Sequence, residues 1–360
     1  MPTEVTPSAL DSVPEHQAAP TGLVEKIRKR RIGRIGFGVT LTFLLAMAFD
    51  WTLAYLAPVF VAPLLQARAA PSPSAAGRVL LVTLLLMLVC YLGAGFARQF
   101  PPAFLLALIP GLFWTFRYSL RGGSGLVVLL LLLGFMLLPM VAKLSPELVW
   151  GMAASFVGNI ALALIVTAIM FSIFPSIPSE PAPAPKPLLP AAEIDRQAWL
   201  MTLITGSFTW AYFSFDWTNV HTPLYIAIFI QQLSLAHSKA VTKGILAANI
   251  AAGFIAVVLY TLLVMAPNFV FLAALSLTVI LVFAHLMTSG KPWATLAGFA
   301  LSSTLILLGS AMASSGDNGG DKFIDRLGEL GAAALYAVAA MYVLEALFRK
   351  ERQAPGPPIG

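Results

Sequence analysis

Apolar runs long enough to cross a bilayer recur along almost the whole chain, and no other feature restricts its fold so tightly. A helix needs about 20 residues to span the hydrocarbon layer. In that layer every backbone N–H and C=O must be bonded within its own helix or around a closed barrel. Barrel strands alternate apolar and polar residues, whereas runs such as Val127 to Leu133 are apolar throughout. The expected fold is therefore an all-α polytopic membrane protein. Charged residues make up 11% of the chain, against about 25% in soluble domains. The formal net charge of +6 is then a matter of position relative to the membrane and gives no argument for nucleic acid.

About twelve spans are predicted, near 33–50, 52–66, 77–97, 101–118, 124–142, 148–174, 197–215, 219–236, 241–266, 268–288, 292–313 and 322–348. Residues 1–32 form a tail ending in a basic block, Lys26 to Arg31, with Arg34 beyond it. Such a block suits a cytoplasmic surface of anionic lipid. Residues 175–196 form a Pro-rich linker that cannot be helical through its prolines. Residues 349–360 are a basic, then Pro/Gly-rich tail. With both termini inside, all but four of the 22 Lys and Arg residues fall on the cytoplasmic side, the four being Arg98, Lys143, Lys322 and Arg326. That bias is the positive-inside rule.

The spans divide into two sets of six, 33–174 and 197–348. F-D-W-T at Phe49 recurs at Phe215, an offset of 166 (216 − 50 for the acids). One residue is then dropped, and at an offset of 165 Pro58 matches Pro223, Gln66 matches Gln231 and Arg78 matches Lys243. Phe104 to Leu108 then matches Phe271 to Leu275, and Gly123 falls on Gly290. An internal period of this kind points to duplication. Six spans per unit is an even number, so the two repeats are parallel.

Catalytic and metal chemistry finds little support. Cys90 is the single cysteine, and His16, His221, His237 and His285 share no ligand spacing. H-E-x-x-H, G-x-S-x-G and P-loop patterns are absent from the sequence. The expectation is a protein that is not an enzyme and holds no cofactor or metal.

The second span of each set is short and carries a proline, Pro58 (with Pro63) or Pro223. Short, Pro-interrupted spans at matching positions in two halves point to a transporter's binding site; a purely structural kink is the other reading. Gln66, Gln231 and His221 belong to the same stretches, and Arg78 and Lys243 would line a cytoplasmic mouth. Asp50 and Asp216 stand beside Trp at a span end. They suit proton coupling, as intramembrane acids do in pumps, or else helix capping with Trp as interfacial anchor. Arg98 and Arg117 bracket the fourth span, where a planar fork would hold a carboxylate, or they are snorkelling charges. Asn159 and Asn249 lie mid-span and are read as interhelical glue.

Several of these features together resemble the fusaric-acid-resistance and aromatic-acid-exporter superfamily of bacterial inner-membrane proteins. They are the W-x(5–7)-P segment ending in Gln, the basic start of a small-residue-rich helix at Lys243 to Gly253, and Asp325-Arg326-Leu327-Gly328 before the last span. The resemblance implies export of hydrophobic or aromatic organic acids across the bacterial inner membrane, often with a periplasmic membrane-fusion subunit. The chain departs from that pattern in having only the Pro-rich linker where many such exporters carry a large cytoplasmic domain. The expectation is a proton-driven exporter. A passive organic-anion channel and a non-transporting accessory or scaffold subunit are the alternatives.

Overall fold

A computed structural model describes residues 21–177, 190–217, 221–234, 239–291 and 293–313, with a few further positions between 328 and 339. Among the described residues there are helices and no strand. The helices are α1 (Thr21–Phe49), α2 (Ala57–Gln66), α3 (Pro73–Gln99), α4 (Pro101–Leu120), α5 (Gly125–Leu132), α6 (Leu138–Ala142), α7 (Pro146–Ile173), α8 (Ala191–Ser214), α9 (His221–Ser234), α10 (Lys239–Met265), α11 (Phe269–Met287) and α12 (Ala294–Ala313). A 3-10 turn, Ala54–Leu56, leads into α2, and a π turn, Leu133–Leu137, joins α5 to α6 as one rod. Eight helices among the described residues are long and apolar enough to cross a membrane, the α5–α6 rod being one and α2 and α9 remaining shorter. The chain is a multi-pass helical membrane protein.

Local chemistry sets the helix starts. Ser72 accepts from the Ala75 N–H and Pro73 follows it, while Ser145 accepts from the Leu148 N–H ahead of α7. Asn268 accepts from the Val270 N–H ahead of α11. Side-chain acceptors satisfy N–H groups that a helix start leaves unbonded, and Pro fits the first turn because its N–H would be unpaired there. The helices differ from the sequence expectation mainly at polar ends. α1 runs back through the basic block to Thr21, and α8 begins at Ala191 inside the expected linker. Both extensions lie beyond the apolar stretch, where hydropathy carries no signal. The expected span 322–348 lies almost wholly outside the described residues; Tyr336, described there, donates to the Ile204 carbonyl of α8 at 2.9 Å.

The packing crosses between the two sets of helices. α1 packs on α11, and α4 packs on α8. α9 packs on α5 and the π turn, while α12 packs on α2 and its 3-10 turn. At the α1–α11 crossing Gly36 lies against Leu281, where a Cβ would collide. Close approach of this kind matters in lipid, because burying apolar surface gains little when the solvent is itself apolar and dispersion must hold the helices. Large apolar side chains accordingly also cover the outside, with Phe254 at 71% and Leu106 at 72% exposure.

Candidate functional site

The cross-packing leaves a cavity of about 430 Å³ where the C-terminal turns of α2 and α9 meet the N-terminal turns of α5 and α12. It lies at the end of the molecule that carries the basic start of α1. Arg31 there donates to the Gln66 carbonyl at 2.8 Å. The buried Arg34 donates to the carbonyls of Leu65 and Ala67, each at 2.9 Å, and its guanidinium stacks 3.9 Å above the Phe171 ring. Carbonyls at a helix C-terminus carry the negative end of the helix dipole, so these two arginines fix the last turn of α2.

That turn presents Gln66 to the cavity. One turn earlier Pro63 sits inside α2, exposed on the cavity side. It supplies no N–H for the carbonyl four residues before it, that of Val59, which also lines the cavity. Irregular backbone is tolerated at membrane depth where it faces such a space. Opposite, Gln231 reaches over the start of α5, where its Nε2 lies 3.3 Å from the place a Cβ on Gly125 would occupy. A larger residue at Gly125 would push the amide away.

Polar groups at the rim are Gln66, Gln231, Gln232, Ser124, Thr295 and Ser302, set among walls that include Phe60, Leu129, Ile228 and Phe299. Among the described residues no charged side chain lines the cavity. The starts of α5 and α12 open onto it, facing the last turns of α2 and α9. A helix start carries a partial positive charge and unbonded N–H groups, which favour anions. Mixed apolar walls and a few fixed polar groups in several hundred Å³ suit an amphipathic small molecule. Among the described residues no group of His, Cys, Asp and Glu could hold a metal ion.

The residues singled out from sequence fall into two groups. Gln66 and Gln231, distant by 165 positions, meet in the cavity. Pro58 and Pro223 are buried in the first turns of α2 and α9, where a proline costs little, and do not line it. Arg78 and Lys243 are exposed at the starts of α3 and α10, outside the lining. Arg117 is held in an ion pair with Asp195 of α8, Nε to Oδ1 at 2.7 Å. Arg98 is exposed at the opposite end, in a separate hollow with Gln99 and Tyr91. The side chain of His221 lies outside the described residues, as do Asp325 and Arg326.

Asp50 and Asp216 also sit at that opposite end, exposed, and both have left-handed backbone, φ 40° and 51°. Asp216 pairs with Lys143 at 2.6 Å. The loop after Asp50 is held by the buried Asn159, which accepts from Trp51 Nε1 at 2.9 Å and donates to the Leu53 carbonyl at 3.1 Å. Asn249 makes a second buried cluster beside the cavity. Its Nδ2 donates to Gln232 Oε1 at 2.8 Å, and its Oδ1 accepts from Ser303 Oγ at 2.5 Å. Sequence reasoning named Pro63 only beside Pro58, and it missed Arg34 as a clamp and Ser303 altogether. For Arg34 a signal existed: it lies inside the first apolar stretch, three residues from Arg31 and on the same helix face.

Residues 31–173 match a family model described as "Protein of unknown function (DUF2955)". No curated protein and no solved structure matches the chain.

Proposed function

We propose that the chain is a transporter of amphipathic organic anions, exporting hydrophobic or aromatic acids across the bacterial inner membrane from the cytoplasmic side. The observation that carries this reading is the convergence of two helix starts and two matched glutamines on one cavity of about 430 Å³. The carboxylate would sit at the starts of α5 and α12 beside Gln66 and Gln231, and the ring against Phe60, Leu129 and Phe299. The anion site is therefore built from backbone and amides, and not from Arg98 or Arg117.

The architecture we infer is two parallel six-helix repeats, with the last helix in 322–348. Three findings support it. The packing is reciprocal, first helix to fourth in both directions (α1 on α11, α8 on α4). Asp50 and Asp216 share the left-handed conformation. The family match ends at Ile173, the end of α7. Both termini and the basic end would face the cytoplasm and anionic lipid, and a periplasmic membrane-fusion subunit would meet the opposite end.

Energy would come from the proton gradient, with Asp50 or Asp216 carrying the proton at the far end. A passive anion channel is the second reading, favoured by the fact that no carboxylate among the described residues lines the cavity. Accumulation of radiolabelled aromatic and aliphatic acids in everted membrane vesicles separates the two. Protonophore-sensitive accumulation of an acid supports the exporter. Flux that ignores the protonophore supports the channel. No flux of any acid, with and without a candidate fusion subunit, overturns both.

A further inference from the structure

The cavity ends at a buried knot of amides and hydroxyls. Gln232, 2% exposed, reaches the cavity wall and accepts from Asn249, 4% exposed. Asn249 in turn accepts from Ser303 of α12 and donates to the Ile245 carbonyl of its own helix. Directly behind lies a void of about 10 Å³ lined by Asn249, Ser303, Tyr225 and Ile228, the last shared with the cavity. A space of that size holds about one water. Beyond it Tyr225 Oη pairs with Ser310 Oγ at 3.2 Å, about two turns beyond Ser303 along α12. Polar groups thus run through the packed interior from the cavity toward the opposite end.

The first half has nothing comparable at the matching positions. At the offsets that align the two halves, Gln232, Asn249, Ser303 and Tyr225 fall on Ala67, Leu84, Met136 and Phe60. The knot is therefore not a requirement of the repeated pattern. It is also costly in lipid unless every group is bonded, and each bond in it is one that a polar ligand can replace with its own.

We propose that Gln232, Asn249 and Ser303 are the gate that closes the cavity toward the opposite end, and that the anion passes by exchanging hydrogen bonds with them. This rests on the cavity being the binding site for transport. In the closed state described here the three side chains satisfy one another; a carboxylate arriving from the cavity accepts from Asn249 Nδ2 and Ser303 Oγ and releases Gln232. Tyr225 and Ser310 form the next station.

Thiol accessibility tests the gate without knowledge of the substrate. The full chain, with Cys90→Ala as background, is placed in lipid nanodiscs and treated with a water-soluble methanethiosulfonate. Ser302→Cys, on the cavity wall, reacts fast. Ser310→Cys reacts slowly while the gate is intact. Adding Ser303→Ala or, separately, Asn249→Ala raises the Ser310→Cys rate by about tenfold, the size expected when one buried hydrogen bond is lost. A Ser310→Cys rate unchanged by both openings, in variants that remain monodisperse, overturns the gate and leaves the knot as helix glue. A slow Ser302→Cys overturns the cavity reading instead, so the two failures are distinguishable.

Discussion

Arg34 Nε lies 2.9 Å from the Leu65 carbonyl, binding the middle of one helix to the end of the next through a side chain only 2% exposed. The second bond to Ala67 and the stacking on Phe171 leave the guanidinium few alternatives. Arg34→Ala would take the arginine's donors from the Leu65 and Ala67 carbonyls, and hydrogen bonds to a charged group are worth about 1.5–3 kcal/mol. A fall of that order in unfolding free energy is expected in detergent-solubilised protein. Arg34→Lys should recover part of it, since an ammonium cannot span both carbonyls in the same fork. Equal stability of Arg34→Ala and the parent chain would refute the clamp.

Gln66 and Gln231 should act on binding and not on folding. Each sits on the cavity wall, so Gln66→Leu and Gln231→Leu are expected to keep the melting temperature. Each should weaken binding of a transported acid by about tenfold, the value of one lost hydrogen bond to a charged ligand. Vesicle transport kinetics measure this as a raised KM. Gly125→Ala should weaken binding as well, by crowding the Gln231 amide.

The Lys143–Asp216 pair separates structure from coupling. The Asp216 side chain is 85% exposed, and exposed ion pairs contribute at most about 1 kcal/mol. Asp216→Asn should therefore leave thermal stability nearly unchanged. Under the exporter reading it should also abolish protonophore-sensitive accumulation while passive flux persists. Coupled export surviving in both Asp50→Asn and Asp216→Asn removes the acids from the mechanism.

Asn159 carries a structural prediction. It joins Trp51 and the Leu53 carbonyl to α7, in a loop where Asp50 and Leu53 are both left-handed. Asn159→Leu strips Trp51 and the buried Leu53 carbonyl of a partner and should destabilise by about 1–3 kcal/mol. Asp50→Gly and Asp216→Gly should be neutral or slightly stabilising, because glycine occupies positive φ without a Cβ penalty. Melting curves of the three variants check both signs.

Much of the fold was legible in the sequence. Of the twelve expected spans, those at 77–97, 101–118 and 268–288 end no more than four residues from the ends of α3, α4 and α11. The site was half legible. Matching Gln66 to Gln231 singles out two helix ends that line one cavity, while the matched prolines Pro58 and Pro223 do not line it. Pro58 was weighed over Pro63, because a repeat draws attention to what recurs, and the proline inside α2 has no counterpart in α9.

By itself the sequence determined that the chain is a bundle of membrane-crossing helices and where most of them lie. The reason is that a bilayer allows an apolar stretch only one open-ended way to satisfy its backbone. Only the tertiary structure decided which polar side chains meet. In lipid, hydropathy does not distinguish the face of a helix that packs on protein from the face that meets acyl chains. Arg34 meeting Leu65, Gln231 covering Gly125 and Ser303 reaching Asn249 follow from close packing between distant helices, and from the need of every buried donor and acceptor for a partner.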